Sequence, residues 1–173
     1  MATTYSLSAS ASLALRVALQ QNLAQNSQVD LLQAGLGNFA AYSKQLSDGS
    51  TAGKAHVCWH DQRTLAAAGN DDIVLGSGST LVDAFGVTIA MTRVVWFLLR
   101  VVTPAVDKRV LIGNHPTTPW QAWFGATTHT EEVRSFTFKE NQIDAWTVAA
   151  SDTLRVNNPG SVTAVYDIVV VGN

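Results

Sequence analysis

His56, Cys58 and His60 alternate along one stretch of the chain, and imidazole and thiolate are good zinc ligands. Alternate residues of a strand lie on one face about 6.5–7 Å apart. Three consecutive ligands at that spacing are stretched around a single ion, and no fourth ligand accompanies them, so the pattern reads as a half-exposed strand face and no metal is expected. His129-Thr-Glu-Glu132, taken with Asp71-Asp72, holds the residue types of an acid/base pair or a divalent-cation site. Nothing in the sequence brings these groups together, and they read as solvated loop charges. Serine is plentiful, but there is no Gly-x-Ser-x-Gly elbow to expose a nucleophile. Gly76-Ser-Gly-Ser-Thr80 lacks the lysine of a phosphate-cradling loop and reads as a turn. No catalytic set emerges, so neither an enzyme nor a cofactor is expected.

Trp120, Trp123 and Phe124 sit beside His115, Pro116 and Pro119, with Trp146 further on. Exposed tryptophans next to polar groups can stack on sugar rings, as a receptor-binding module would need. The other reading, which we favour, is tryptophan in a core or subunit interface, where it buries a large area with one N–H to satisfy.

The elements that must position these residues belong to a chain of 173 residues, with 11 Lys+Arg against 13 Asp+Glu for a net charge of −2. That is one domain, or one with an extension, long enough to bury roughly 70% of its unfolded surface. A lone cysteine rules out an intramolecular disulfide and a four-cysteine zinc site. Scattered basic residues and near-neutral charge argue against nucleic acid, whose phosphates need a concentrated positive field. Charged residues are 14% of the chain, where soluble domains average about 25%. A chain so poor in charge is expected to have much of its surface covered by other protein. No membrane partner is expected either: no basic residue precedes Arg16, as a secretory leader would need, and the apolar run 94–99 is cut by Arg93 and Arg100, far short of the ~20 residues a bilayer requires. No Asn-x-Ser/Thr sequon occurs, and synthesis in a cytoplasm is expected.

The chain changes character near residue 54. Residues 1–53 carry only four charges, Arg16, Asp30, Lys44 and Asp48. Leu15, Leu19 and Leu23 recur at helical spacing, with Ala11 and Ala18 near that face and Ser8 or Ser10 as N-cap, which predicts a short helix over 11–24. Gly35 and Gly37 disfavour a further helix, and Gly49 and Gly53 mark a linker. This N-terminal arm is too short for a core of its own. Leu13, Leu15, Leu19, Leu23, Leu31, Leu32, Leu36 and Phe39 therefore need burial, on the rest of the chain or on a neighbour, and they are the expected capsid or subunit contacts once the resemblance below is considered.

From residue 54 to 173 the pattern is β. Ala55, Val57 and Trp59 alternate with His56, Cys58 and His60. Further β-rich runs fall at about 71–75, 87–103, 109–112, 120–124, 133–138, 145–148, 153–157 and 162–171, parted by turn signals such as Thr103-Pro104 and Asn157-Asn-Pro-Gly160. The fold class is mainly β, an antiparallel β-sandwich or jelly-roll body. The run 94–102 should be a central strand buried on both faces. The expected core is Val57, Trp59, Ile73, Leu75, Val94, Trp96, Leu98, Leu111, Leu154, Val156, Val165 and Ile168.

Several separated motifs occur in order: His60-Asp-Gln-Arg-Thr-Leu-Ala-Ala-Ala-Gly69, Asp72-Ile-Val-Leu-Gly76, Leu81-Val-Asp-Ala-Phe-Gly86, Val110-Leu-Ile-Gly113, Trp146-Thr-Val148, Asp152-Thr-Leu-Arg-Val-Asn157 and Ser161-Val-Thr-Ala-Val-Tyr-Asp-Ile-Val169. Together they resemble small structural proteins of tailed bacteriophages, over roughly residues 60–173. The resemblance implies a non-enzymatic virion component with a β-sandwich body, often a homotrimer, serving as decoration or cement on the head or as a fibre-like piece elsewhere. Residues 1–53 depart from it. Physical argument favours the head: shells expand and gain pressure during packaging, and a rigid body with a low-charge arm suits a clamp across coat-subunit seams. About 400 Å² of apolar arm surface would contribute on the order of 10 kcal/mol, offset by roughly 1–2 kcal/mol per residue ordered, so several copies acting together hold best. The expected partners are the major capsid protein and further copies of the chain, on the outer head surface of the virion, after synthesis in the host cytoplasm. The alternative is a tail- or fibre-associated, glycan-binding receptor module using the tryptophan loop.

Overall fold

The structure is a computed structural model that describes residues 9–14, 41–51, 54–83, 86–102, 109–125, 129–141 and 145–173. The chain divides into two compact units, Ser8–Leu46 and Met1–Leu7 with Ser47–Asn173.

In the smaller unit β1 (Ala9–Ala14) pairs antiparallel with β2 (Ala41–Leu46), Ala9 opposite Leu46 and Ala14 opposite Ala41. This corrects the helix expected over 11–24 at its first turn. Ala9-Ser-Ala-Ser-Leu-Ala14 alternates with period two, and serine side chains compete with helical backbone bonding. Ser10 is accordingly a strand residue, not an N-cap. Residues 15–24 lie outside the described residues, as do Leu15, Leu19, Leu23, Leu31, Leu32, Leu36 and Phe39; Leu13 lies in β1 opposite Tyr42.

The larger unit takes in residues 47–51, which the sequence placed in the arm: the Ala55 amide donates to the Ser47 carbonyl and the Gly49 amide to the Ala55 carbonyl. Its elements are β3 (Val57–Leu65), β4 (Asn70–Val74), β5 (Arg93–Val101), β6 (Val110–Asn114), a single helical turn α1 (Gln121–Phe124), β7 (Thr130–Val133), β8 (Phe136–Glu140), the two-residue β9 (Trp146–Thr147), β10 (Thr153–Asn157) and β11 (Ala164–Gly172). One sheet has the order β4-β10-β6-β7, and the other has β3-β11-β5-β8 with β9 beside the start of β5. Among the described residues every pairing between these strands is antiparallel. Leaving β9 aside, the pairs nest: β3 with β11, β4 with β10, β5 with β8, β6 with β7. A long hairpin rolled up in this way is a jelly roll.

The two sheets share one core that includes Trp59, Ile73, Phe97, Leu99, Ile112, Leu154, Val156, Tyr166 and Ile168. Of the expected core, Val57, Leu98, Leu111 and Val165 are only half-buried. Leu98 and Val165 stand on the outer side of their sheet and Leu111 on the outer side of the other, because strand alternation sends their neighbours Phe97, Leu99, Ile112 and Tyr166 inward. Val57 begins its strand at the rim of the core. The segment 120–124 is a helical turn, not a strand. Three apolar side chains at i, i+3 and i+4, Trp120, Trp123 and Phe124, reach one core only if the backbone coils.

Polar clasps close both open edges of the sandwich. At the β3/β4 edge the Tyr166 hydroxyl donates to Asp71 Oδ2 at 2.6 Å, and Arg63 Nη1 lies 3.3 Å from Asp71 Oδ1 while its guanidinium covers the Trp59 ring at 5.4 Å. Burial first, and the Asp71 hydrogen bond second, push the Tyr166 phenol far above its ordinary range. At the β7/β8 edge Lys139 Nζ pairs with Glu131 Oε1 at 3.0 Å. Asn158 is fully buried and ties two turns together, donating from Nδ2 to the Ala66 and Val162 carbonyls at 2.9 and 2.8 Å.

A bulge between Val171 and Gly172 ends the β5–β11 ladder. There the Asn173 amide donates to the Arg93 carbonyl at 3.0 Å, and the Thr92 and Arg93 amides donate to the Asn173 carbonyl at 2.6 and 2.9 Å. A Cβ on Gly172 would stand well inside contact distance of the Arg93 carbonyl oxygen, a backbone atom that cannot swing away. Gly172→Ala is therefore expected to lower unfolding stability by about 2–3 kcal/mol, read as a lower denaturation midpoint at unchanged slope.

Candidate functional site

The sandwich presents two outer faces of unlike chemistry. Across the outer face of the β4-β10-β6-β7 sheet, one row reads Asp72, Arg155, Gly113, Thr130, and the next Asn70, Asn157, Leu111, Glu132. Arg155 grips Asp72 with two hydrogen bonds of 2.6 and 2.8 Å. That bond holds the Asp72 carboxyl below its usual range and lifts the Arg155 guanidinium. His115 Nδ1 accepts the amides of Thr117 and Thr118 at 3.3 and 3.2 Å, leaving Nε2 towards Asp72 Oδ2 at 3.6 Å. A shallow depression of about 230 Å³ lies over Leu111 and Gly113, walled by Asn70, Thr130, Arg155 and Asn157. Its amides are engaged with each other, Asn157 Nδ2 donating to Asn70 Oδ1 at 2.6 Å. This is the ordinary polar outer side of an antiparallel sheet.

The other outer face, on the β3-β11-β5-β8 sheet, is different. Its rows read Gln62, Asp167, Arg100, Phe136; then His60, Val169, Leu98, Phe138; then Cys58, Val171, Trp96, Glu140. Val165 adds to the first end, opposite Thr64. Phe136 is 47% exposed, whereas Trp96 and Val171 at the far end are 5% and 4% exposed. Trp96 Nε1 and Glu140 Oε2, on directly paired residues, are buried with no hydrogen-bond partner among the described residues. Near the middle, Arg100 Nε donates to Asp167 Oδ2 at 2.9 Å and Gln62 Nε2 to Asp167 Oδ1 at 2.8 Å. The Gln62 bond first, then Arg100, holds the Asp167 carboxyl below its usual range.

The residues singled out by chemistry are not assembled into a reactive site. Cys58 and His60 share the outer side of β3, opposite Val171 and Val169, and burial pushes the Cys58 thiol up, away from thiolate. His56 precedes that strand and donates its amide to the Gly172 carbonyl. Asp71 and Asp72 lie on β4 and Glu131 and Glu132 on β7, at opposite edges of one sheet. Each carboxylate has its own partner: Tyr166 and Arg63 for Asp71, Arg155 for Asp72, Lys139 for Glu131, Arg109 and Arg134 for Glu132. Among the described residues no group of three His, Cys, Asp or Glu side chains could hold a metal ion.

The tryptophans form a wedge in the core. Trp120 is fully buried, and its Nε1 donates to the Thr147 carbonyl at 2.8 Å. Trp123 meets Trp120 edge-on at 5.2 Å and Phe97 at 4.5 Å, and stacks on Phe124 and Trp146 at 4.6 and 5.1 Å. Phe124 is 6% exposed. A sugar ring has no face of Trp120 or Phe124 to stack on, which corrects the ligand reading of these residues. Chemistry-led reading missed the outer-face set Leu98, Phe136, Phe138, Val165 and Val169. Its signal was present: β5 and β11 are apolar at both parities of the strand.

No family model matches the chain, and no curated protein matches it. Among solved structures it is similar to the crystal structure of a Yersinia pseudotuberculosis-derived mitogen (YPM), at 13% identity and a TM-score of 0.37, covering 68% of this chain and 86% of that one. A likeness that slight assigns nothing, and the fold is read from the chain's own strands.

Because the wedge fills the core between the sheets, Trp120→Ala should cost about 3–5 kcal/mol of stability. A melt showing Trp120→Ala as stable as the parent would return this residue to the surface.

Proposed function

We propose that the chain is a structural protein of a bacteriophage virion, a capsid decoration or cement protein that binds the outer head through its arm and its β body. The observation that carries this reading is the apolar outer face of the β3-β11-β5-β8 sheet, in a chain with only 14% charged residues. A surface of that kind is stable only when other protein lies on it. The jelly roll is used by capsid and lectin domains alike, so the fold by itself does not choose between them. The phage-like motifs supply the choice: five of them overlap β3, β4, β6, β10 and β11, one begins at the short β9, and the Leu81–Gly86 motif overlaps no strand among the described residues. Of the three aromatics that supported the alternative, a glycan-binding tail module, Trp120 and Phe124 are buried and Trp123 is half-buried, which weighs against stacking on a sugar.

In this reading the body is a rigid wedge and the arm reaches a neighbouring surface. The major capsid protein is the partner, and a homotrimer of the chain multiplies individually weak contacts. The virion is the site of action and the host cytoplasm the site of synthesis.

The test is co-sedimentation of the purified protein with intact phage heads. The full chain is expected to pellet with heads, and a chain from which residues 8–46, the smaller unit, are deleted to stay folded by circular dichroism yet remain in the supernatant. A truncated chain that decorates heads as well as the parent would contradict the role given to the arm.

A further inference from the structure

The loop from β6 to α1 reads His115-Pro116-Thr117-Thr118-Pro119. Proline carries no N–H, so Thr117 and Thr118 hold the only backbone donors between His115 and Trp120. Both are aimed at one atom. His115 Nδ1 accepts the Thr117 amide at 3.3 Å and the Thr118 amide at 3.2 Å. A backbone N–H can only donate, so Nδ1 is the bare nitrogen of the neutral ring and the ring proton sits on Nε2. The loop is stitched to the start of β10 as well. The Thr153 amide donates to the Thr118 carbonyl at 3.0 Å, and the Thr118 hydroxyl to the Thr153 hydroxyl at 3.0 Å. Trp120, the fully buried foot of the tryptophan wedge, follows directly.

We propose that His115 is a pH-operated latch: a second proton can enter its ring only at Nδ1, and there it releases the Thr117 and Thr118 amides and frees the loop over 116–118. An imidazole takes up that proton within the physiological pH range. An imidazolium has two N–H groups and no acceptor, so one protonation takes away the shared acceptor of both amides. Thr117 is exposed, so water replaces Nδ1 as their partner and the loop yields outward.

The charges around the ring hold it in place while the loop moves. From β4, Asp72 Oδ2 faces His115 Nε2 at 3.6 Å, and from β10 Arg155 grips that carboxylate at 2.6 and 2.8 Å. The Arg155 bond keeps the Asp72 carboxyl below its usual range, so a carboxylate faces the imidazole wherever the imidazole titrates. In the turn before β10, Asp152 is engaged with the Ala149 amide at 2.8 Å. Asp72 attracts the charged ring and Arg155, paired with it, opposes. Protonation thus exchanges two amide bonds at Nδ1 for a charge on a ring that stays against Asp72, which is the bistable element a protonation switch requires.

NMR of the full chain, titrated from about pH 7.5 to about pH 5 across the imidazole range, tests this. Long-range proton–nitrogen spectra of the histidine rings show which nitrogen is bare, and the Thr117 and Thr118 amide signals report the loop. At the upper pH the His115 proton is expected on Nε2. As the ring charges, both amide signals should move along its titration curve, and their protection from hydrogen exchange should fall about two- to tenfold. His115→Asn supplies a side-chain oxygen that accepts amides of the same turn and does not titrate. In that chain the two amides should stay bonded and unmoved throughout. A neutral His115 protonated on Nδ1 would overturn the inference, as would amide protection that is unchanged when the ring charges. A His115→Asn chain with the parent's pH response would also overturn it, because a carboxylate would then drive the change.

Discussion

β5 and β11 run antiparallel side by side in the interior of their sheet, and neither has a fully polar side to turn to water. Phe97, Leu99, Val101, Tyr166, Ile168 and Val170 fill one side; Trp96, Leu98, Val165, Val169 and Val171 occupy the other. Most strands of a sandwich need cover on one face only. This pair needs it on both. The inner requirement is met by the opposite sheet, through Ile73, Ile112, Leu154 and Val156. Among the described residues the outer side is buried at the Trp96–Val171 end, while Leu98, Val165 and Val169 are half-buried. The remainder of that face is the observation behind the proposal that other protein covers it.

The rest of the architecture holds this strand pair in register. The nested pairing of β3 with β11, β4 with β10, β5 with β8 and β6 with β7 folds one long hairpin over itself, so each sheet is built from distant parts of the chain. Closure at the ends depends on a few specific residues. Gly172 lets the ladder bulge against Arg93, Asn158 ties the turn after β3 to the one before β11, and the Trp120–Trp123–Trp146 wedge fills the space beside α1. The Tyr166–Asp71–Arg63 and Lys139–Glu131 contacts close the two edges. The Lys139–Glu131 pair is half-buried near the surface and contributes little energy, but it matches the edge residues of the two sheets to one another.

The sandwich was legible because residues 55–60 and β10 carry two-residue alternation, because β5 and β11 are β-rich apolar runs, and because turn residues such as Asn157-Asn-Pro-Gly160 punctuate the strands. The segment 120–124 misled because aromatic residues favour strands, and only the shared core shows why three of them must coil into one turn. Leu15, Leu19 and Leu23 imposed a helical period that hid the Ala–Ser alternation of β1. Leu98 and Val165 were read as core from hydrophobicity alone, since strand parity fixes which residues share a face but not which face is inward. The outer apolar face was written in the same residues. It became visible as a surface once the pairing order put β8 beside β5 and set Phe136 and Phe138 next to Arg100 and Leu98.

The central claim is that the outer face of the β3-β11-β5-β8 sheet is covered when the protein is at work. Hydroxyl-radical footprinting, read by mass spectrometry on the dilute chain and on the assembled protein, measures that cover residue by residue. The account predicts that Phe136 and Phe138 are oxidised in the dilute chain and protected on assembly, while buried Trp120 is protected in both and Arg155, on the opposite face, changes little. Equal oxidation of Phe136 and Phe138 in the two states would contradict it.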